Sequence, residues 1–254
     1  MYDLVEFLKL SGGSSAGEHF VCDKVVGNRN KIIKRKMIIH PPMFFRILNA
    51  RVPRILIIAI RKFRFNSPNK LFNGDDTLFK DEVKKVDVYG EYGCGKSTKW
   101  VLNNTAIDVI AVDTSSEWVG AVKKDNQRNN ERLNIHYSNL GDVGGWGYPL
   151  SYEKKERFSD YTNYIWRQKK NPQLVLVDGR FRVCCFLTSL KYAEEGTKII
   201  FDDYINRPHY HYVEKYVRRE KQCGRQCLFI VPPKSSFDID ELNRDIELFR
   251  LVME

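Results

Sequence analysis

Gly90-Glu-Tyr-Gly-Cys-Gly-Lys-Ser-Thr98 is a glycine-rich turn between two unlike segments. VKKVDVYG, ending at Gly90, is short, apolar and β-branched, and is read as a strand. A helix is predicted over Ser97–Asn103, and IDVIAVD, closing on Asp113, reads as a second strand. Strand, glycine turn, helix and strand open a βαβ unit, in which backbone amides at the helix start face a ligand.

Two kinds of ligand suit this turn. As G-x-x-x-x-G-K-[ST], its amides cradle phosphates, Lys96 reaches them and Ser97 holds magnesium, as in a P-loop ATPase or kinase. As acid-x-Gly-x-Gly-x-Ser, its glycines let the backbone approach a cationic, ribose-bearing cofactor. Charge and spacing favour the second. Glu91 would repel a triphosphate but attract an ammonium or sulfonium group. Asp113 follows Gly93 by 20 residues and is placed to accept both ribose hydroxyls.

The alternation continues outward. SSEWVGAVKKDNQRN reads as helix, LNIHYSN as strand, about Glu153–Lys169 as helix and QLVLVD as strand. FRVCCFLTSLKYA is predicted helical, TKIIFDD a strand, HYVEKYVRRE a helix, CLFIVPP a sixth strand and DIDELNRDIELFRLV an amphipathic helix. Such alternation predicts an α/β fold over residues 76–254: a doubly wound, mainly parallel, Rossmann-like sheet covered on both faces.

Residues 1–75 are different. Residues 1–80 hold 15 Lys and Arg against 6 Asp and Glu, a net of +9 out of the chain's +10. From Lys24 to Gly74 there is no acid, and apolar clusters alternate with the basic residues. A basic N-terminal extension or cap is expected here. Residues 24–70 could dock on an anionic membrane surface. Nucleic acid is the less favoured partner, because no RNA-binding motif is present. The longest apolar run, Ile55–Ile60, is too short to span a bilayer, and the first residues lack a basic leader. The six cysteines show no metal-finger spacing and read as reduced thiols. The expected location is cytoplasmic, with a peripheral membrane contact as an option.

Three carboxylates stand out downstream. Asp178 ends the fourth strand, and Asp202 and Asp203 end the fifth. In a parallel sheet, ligands gather outside the carboxyl ends of the strands, so the three should converge. Hard oxygen donors suit Mg2+ or Mn2+. Alternatively, Asp202 and Asp203 cap a turn while Asp178 pairs with Arg180 or Arg182, or these arginines clamp an anionic acceptor. His209 and His211 are candidate general bases.

GEYGCGKSTKWVL, IDVIAVDTSSEWVGAVKK, NLGDVGGWGYP, LVLVDGRFRV and IIFDDYINRPHYHYVEKY follow one another in an order that resembles class I S-adenosylmethionine (SAM)-dependent methyltransferases, over residues 76–231. Lys96 stands where that group usually has a small residue, which produces the phosphate-loop match. The resemblance implies SAM as cofactor. Glu91, Gly93, Gly95 and Ser97 would lie at its methionine end, Asp113 at the ribose and Asn139 at the adenine. The acids resemble those of metal-dependent O-methyltransferases of the catechol and sugar types, with Asp178, Asp202 and Asp203 as ligands and Asp178, Arg180, His209 and His211 at the chemistry. The implied reaction is methyl transfer to a small acceptor, an oxygen of a sugar or similar metabolite. A non-catalytic domain that keeps the fold is the remaining alternative.

Overall fold

The computed structural model describes residues 70–254 except Asn73. The basic segment 24–70 therefore lies, apart from Lys70, outside the described residues, as does the membrane contact expected of it.

Helix α1 (Thr77–Val83) leads into β1 (Val88–Tyr92), α2 (Lys96–Asn104), β2 (Asp108–Asp113), α3 (Ser116–Asp125) and β3 (Leu133–Tyr137). Then come α4 (Phe158–Asn163), β4 (Leu174–Val177), α5 (Arg182–Tyr192), β5 (Lys198–Phe201), β6 (Lys221–Cys223), β7 (Gln226–Ile230) and α6 (Ile239–Phe249). The seven strands lie in the order β3-β2-β1-β4-β5-β7-β6. The pairs among β1 to β5 are all parallel, and β7 runs antiparallel to both β5 and β6. This is the doubly wound, Rossmann-like sheet expected, with a reversed edge.

Burial on both faces explains the apolar runs. Val88, Tyr92, Ile110, Val112, Val175, Val177, Ile199 and Phe201 point into one core, together with α5. Tyr89, Val109, Ala111, Leu174, Leu176 and Ile200 point into the other. A strand that alternates between two cores has no polar face, so its sequence is continuously apolar. Each large side chain buried this way contributes about 1.5–3 kcal/mol.

Four expectations are corrected. Strand β1 does not end at Gly90 but runs on through Tyr92. A Cβ on Gly90 would meet Pro172 Cγ at 2.7 Å, so glycine here serves strand packing and not a ligand turn. The helix predicted over 153–169 is broken into a 3-10 turn, the short α4 and a second 3-10 turn. The helix expected over HYVEKYVRRE is replaced by a 3-10 helix over Pro208–Lys215, in a run whose His, Tyr and Val residues are weak helix formers. Finally, the sheet has a seventh strand, β6, joined to β7 by the two-residue turn Gly224-Arg225, with Gly224 at φ 57°.

Candidate active site

The carboxyl ends of β1, β2 and β4 lie side by side, and their loops touch. A Cβ on Gly93 would stand 2.9 Å from the Cα of Gly179, and one on Gly179 would meet Tyr161 Oη at 2.0 Å. Only glycine lets these two backbones pass. Gly95, at the start of α2, is different: a Cβ there would point into open space.

Two acids lie on the strands that flank this turn, Glu91 in β1 and Asp113 at the end of β2. Glu91, in β1, is fully buried and accepts hydrogen bonds from the hydroxyls of Ser97 and of Thr98, the latter at 2.6 Å. Burial pushes its carboxyl up to about 7 against these two donors, and the charge of Asp113 adds to the rise. Asp113 at the tip of β2 accepts from the Cys94 amide at 2.8 Å and the Ser115 amide at 2.7 Å. Burial raises its pKa as well, opposed by those amides. The Cys94 thiol also reaches this carboxylate, whose two oxygens together keep further acceptor capacity. Beside it, the buried Ser138 hydroxyl has no hydrogen-bond partner among the described residues. Asn139 Oδ1 accepts from the Gly141 amide at 3.2 Å and Lys154 Nζ at 2.9 Å.

The same geometry bears on the phosphate-loop alternative. Gly90 lies inside a strand, the turn proper is only Gly93-Cys94-Gly95, and the Ser97 hydroxyl is donated to Glu91. A magnesium ion would have to compete for that hydroxyl beside a buried acid.

Asp178, Asp202 and Asp203 converge as expected, each offering an oxygen within 4.8 Å of the others. Cations of the chain already thread them. Arg182, 4% exposed, donates to Asp178 Oδ1 at 3.0 Å and Asp203 Oδ2 at 3.4 Å, and to the carbonyls of Asp178, Gly179 and Asp202. Arg225 binds both oxygens of the fully buried Asp202 and reaches Asp203 Oδ1 at 2.7 Å. Arg207 adds a contact to Asp203 at 3.4 Å, and the Gln226 amide one to Asp202 at 2.9 Å. Three guanidiniums thus contact the three carboxylates, with Arg207 shared with Glu254. The three acids offer ligand atoms close enough for a divalent cation, which would have to share or displace oxygens that the arginines hold. Asp178 differs from the other two: its side chain is 31% exposed, and its pKa is raised well above the ordinary value by burial and by the charge of Asp202.

His209 Nε2 lies 2.8 Å from Glu254 Oε1, which also accepts from Arg207 at 3.2 Å. His211 Nε2 donates to the Tyr204 carbonyl at 3.2 Å, and its ring stacks on Tyr204. Arg180 follows Asp178 at the cleft. Arg225 and Gln226 were not foreseen as site residues, since they arrive on the unexpected hairpin; a Gly-x pair between Cys223 and Gln226 was the available signal.

Three non-glycine residues have positive φ among the described residues: Trp146 (62°), Phe181 (54°) and Asp203 (59°). They fall in the loops after β3, β4 and β5, all on this edge of the sheet. Such conformations cost about 1–3 kcal/mol each and gather at functional sites.

No family model matches the chain, and no curated protein matches it. Among solved structures, a methyltransferase-like protein from Silicibacter pomeroyi is 30% identical with a TM-score of 0.57, the match covering 66% of this chain and 91% of that one. Looser likenesses include O-methyltransferases from Bacillus cereus (11% identity, 74% and 96% covered, TM-score 0.41) and Streptomyces achromogenes (13%, 75% and 95%, 0.45). These two are too distant to carry an inference. Strand order, glycine turn and strand-tip acids define a protein with the class I methyltransferase fold. On the Silicibacter match, the chain belongs to the methyltransferase-like family.

Proposed function

We propose that this chain is a SAM-dependent methyltransferase acting on an oxygen of a small acceptor. The observation that carries the reading is the glycine turn held between two buried acids, Asp113 on the Cys94 amide and Glu91 on the hydroxyls of Ser97 and Thr98. The carboxylate of Asp113 beside the glycine turn favours a cation and disfavours a triphosphate, while Glu91 braces the turn from beneath. The orphaned Ser138 hydroxyl and the spare lone pairs of Asp113 fit a ribosyl-adenine bound across the tips of β2 and β3. Asn139 stands at that end too.

SAM supplies an electrophilic methyl group on sulfur. The chain's residues do the rest by placement. Asp113 accepts ribose hydroxyls, and Glu91 holds the first turn of α2 through Ser97 and Thr98. Asp178 is the acid–base residue the geometry favours: it is accessible, its pKa is raised, and Arg182 fixes one of its oxygens. Its other oxygen takes the acceptor proton as the hydroxyl attacks. His209, oriented by Glu254, is the second candidate, and His211 spends its Nε2 on a carbonyl. A sugar-type acceptor rests on sequence resemblance alone.

Residues 1–75 carry most of the chain's basic surplus, which in this reading serves acceptor access or an anionic surface. No helix of the described residues is long and apolar enough to cross a membrane. Calorimetric titration with SAM, S-adenosylhomocysteine and Mg-ATP tests the function. Binding of the first two without the third is expected; tight Mg-ATP binding lost in Lys96→Ala would overturn it.

A further inference from the structure

The arginines of the site differ in one respect. Arg182, Arg207 and Arg225 each pair with two carboxylates. Arg180 stands among them with no carboxylate in ion-pair distance among the described residues, and its Nε is buried without a hydrogen-bond partner. Its backbone is pinned, the amide donating to Tyr161 Oη at 3.1 Å and the carbonyl accepting from Cys185 Sγ at 3.3 Å. The groups acting on its charge are Arg182, Tyr161, Tyr210 and Asp178, and Asp113 feels it from across the cleft. A guanidinium in this position is desolvated and repelled by Arg182, and only the more distant charge of Asp178 offsets this in part. It is built for an anion that arrives with a ligand.

We infer that Arg180 binds the carboxylate of the methionine arm of the cofactor, so this assignment rests on the SAM reading above. The order of the strands supports it. Ribose belongs at Asp113 on β2, the chain of the ligand crosses the Gly93–Gly95 turn on β1, and Arg180 follows β4 on the far side. Two interstrand steps make about 10 Å, which an extended methionine arm and a long arginine side chain cover together. A planar guanidinium can hold a carboxylate through two parallel N–H donors. The bound cofactor would then satisfy both signs of charge in the cleft, its cationic groups facing the acids and its carboxylate facing Arg180.

The test uses the full chain and two ligands that differ in this group. S-adenosylhomocysteine carries the carboxylate; 5'-methylthioadenosine keeps the nucleoside and sulfur but lacks the amino-acid end. Arg180→Gln should weaken S-adenosylhomocysteine by about tenfold or more and leave methylthioadenosine unchanged. Arg180→Lys, which keeps the charge but not the fork, should recover part of the loss. Unchanged S-adenosylhomocysteine affinity in Arg180→Gln would overturn the assignment, and so would equal losses for both ligands. Wild-type protein that bound neither ligand would instead overturn the functional reading itself.

Discussion

Replacing Arg225 by Met removes the cation that binds the fully buried Asp202 and also reaches Asp203, while keeping most of the apolar side-chain volume. Gln226 would remain as a partner of Asp202, at 2.9 Å, but a neutral amide cannot offset the charge. Breaking a buried pair by deleting one member costs about 3–5 kcal/mol. Arg225 is itself 19% exposed, so water relieves part of that, and about 3 kcal/mol is expected. For a domain of this size each kcal/mol moves Tm by about 2–4 °C, which gives a fall of about 6–12 °C. Urea and thermal melts of Arg225→Met, Asp202→Asn and the double variant would measure it. The double variant should be more stable than Arg225→Met alone, because it removes the stranded charge. A loss below about 0.5 kcal/mol with no coupling between the two sites would refute the account of arginines as the counter-ions. So would tight, stoichiometric Mn2+ binding to the wild type, seen by electron paramagnetic resonance.

Asp113→Ala should weaken S-adenosylhomocysteine about tenfold or more in calorimetry, at about 1.5–3 kcal/mol for a charged hydrogen-bond partner; unchanged affinity would remove Asp113 from the ribose site. Glu91 is held at about 7 against an ordinary 4.5, so the folded state keeps its proton longer than the unfolded chain. Stability from this group is therefore present at low pH and lost as pH rises from about 4.5 through about 7, by about 3 kcal/mol in all. Relative to wild type, Glu91→Gln should gain stability between pH 5 and 8, and a constant difference in urea melts would count against it. Asp178→Asn should lose turnover by a hundredfold or more while its SAM affinity stays within about threefold; turnover kept in single-turnover assays would move the base to His209.

The parts of the fold that were legible are those with one cause. Val109–Val112 and Leu174–Val177 are apolar because both faces are buried, and their shortness and β-branched content mark them as strands. Lys221–Cys223 is a short edge strand with exposed polar residues, so it carried no such signature. The strand-tip acids Asp113, Asp178, Asp202 and Asp203 could be placed because a parallel sheet collects its carboxyl ends. Their partners could not. Arg225 comes to Asp202 through an antiparallel hairpin, which the alternation rule does not anticipate. The positive φ of Trp146, Phe181 and Asp203 left no mark either, since side chains of these types give no warning of that conformation.

The contact between Gly93 and Gly179 has a consequence for changing this protein's specificity. The turn that faces the cofactor and the loop that carries Asp178 and Arg180 share one van der Waals boundary, with Tyr161 sealing its far side. Neither can accept a side chain at that point unless the other retreats. A library that diversifies the loop after β4 in search of a new acceptor will therefore lose cofactor affinity whenever it touches position 179. Neutral drift should show the same bond between the two positions: in related chains a larger residue at one is expected only together with a rebuilt turn at the other.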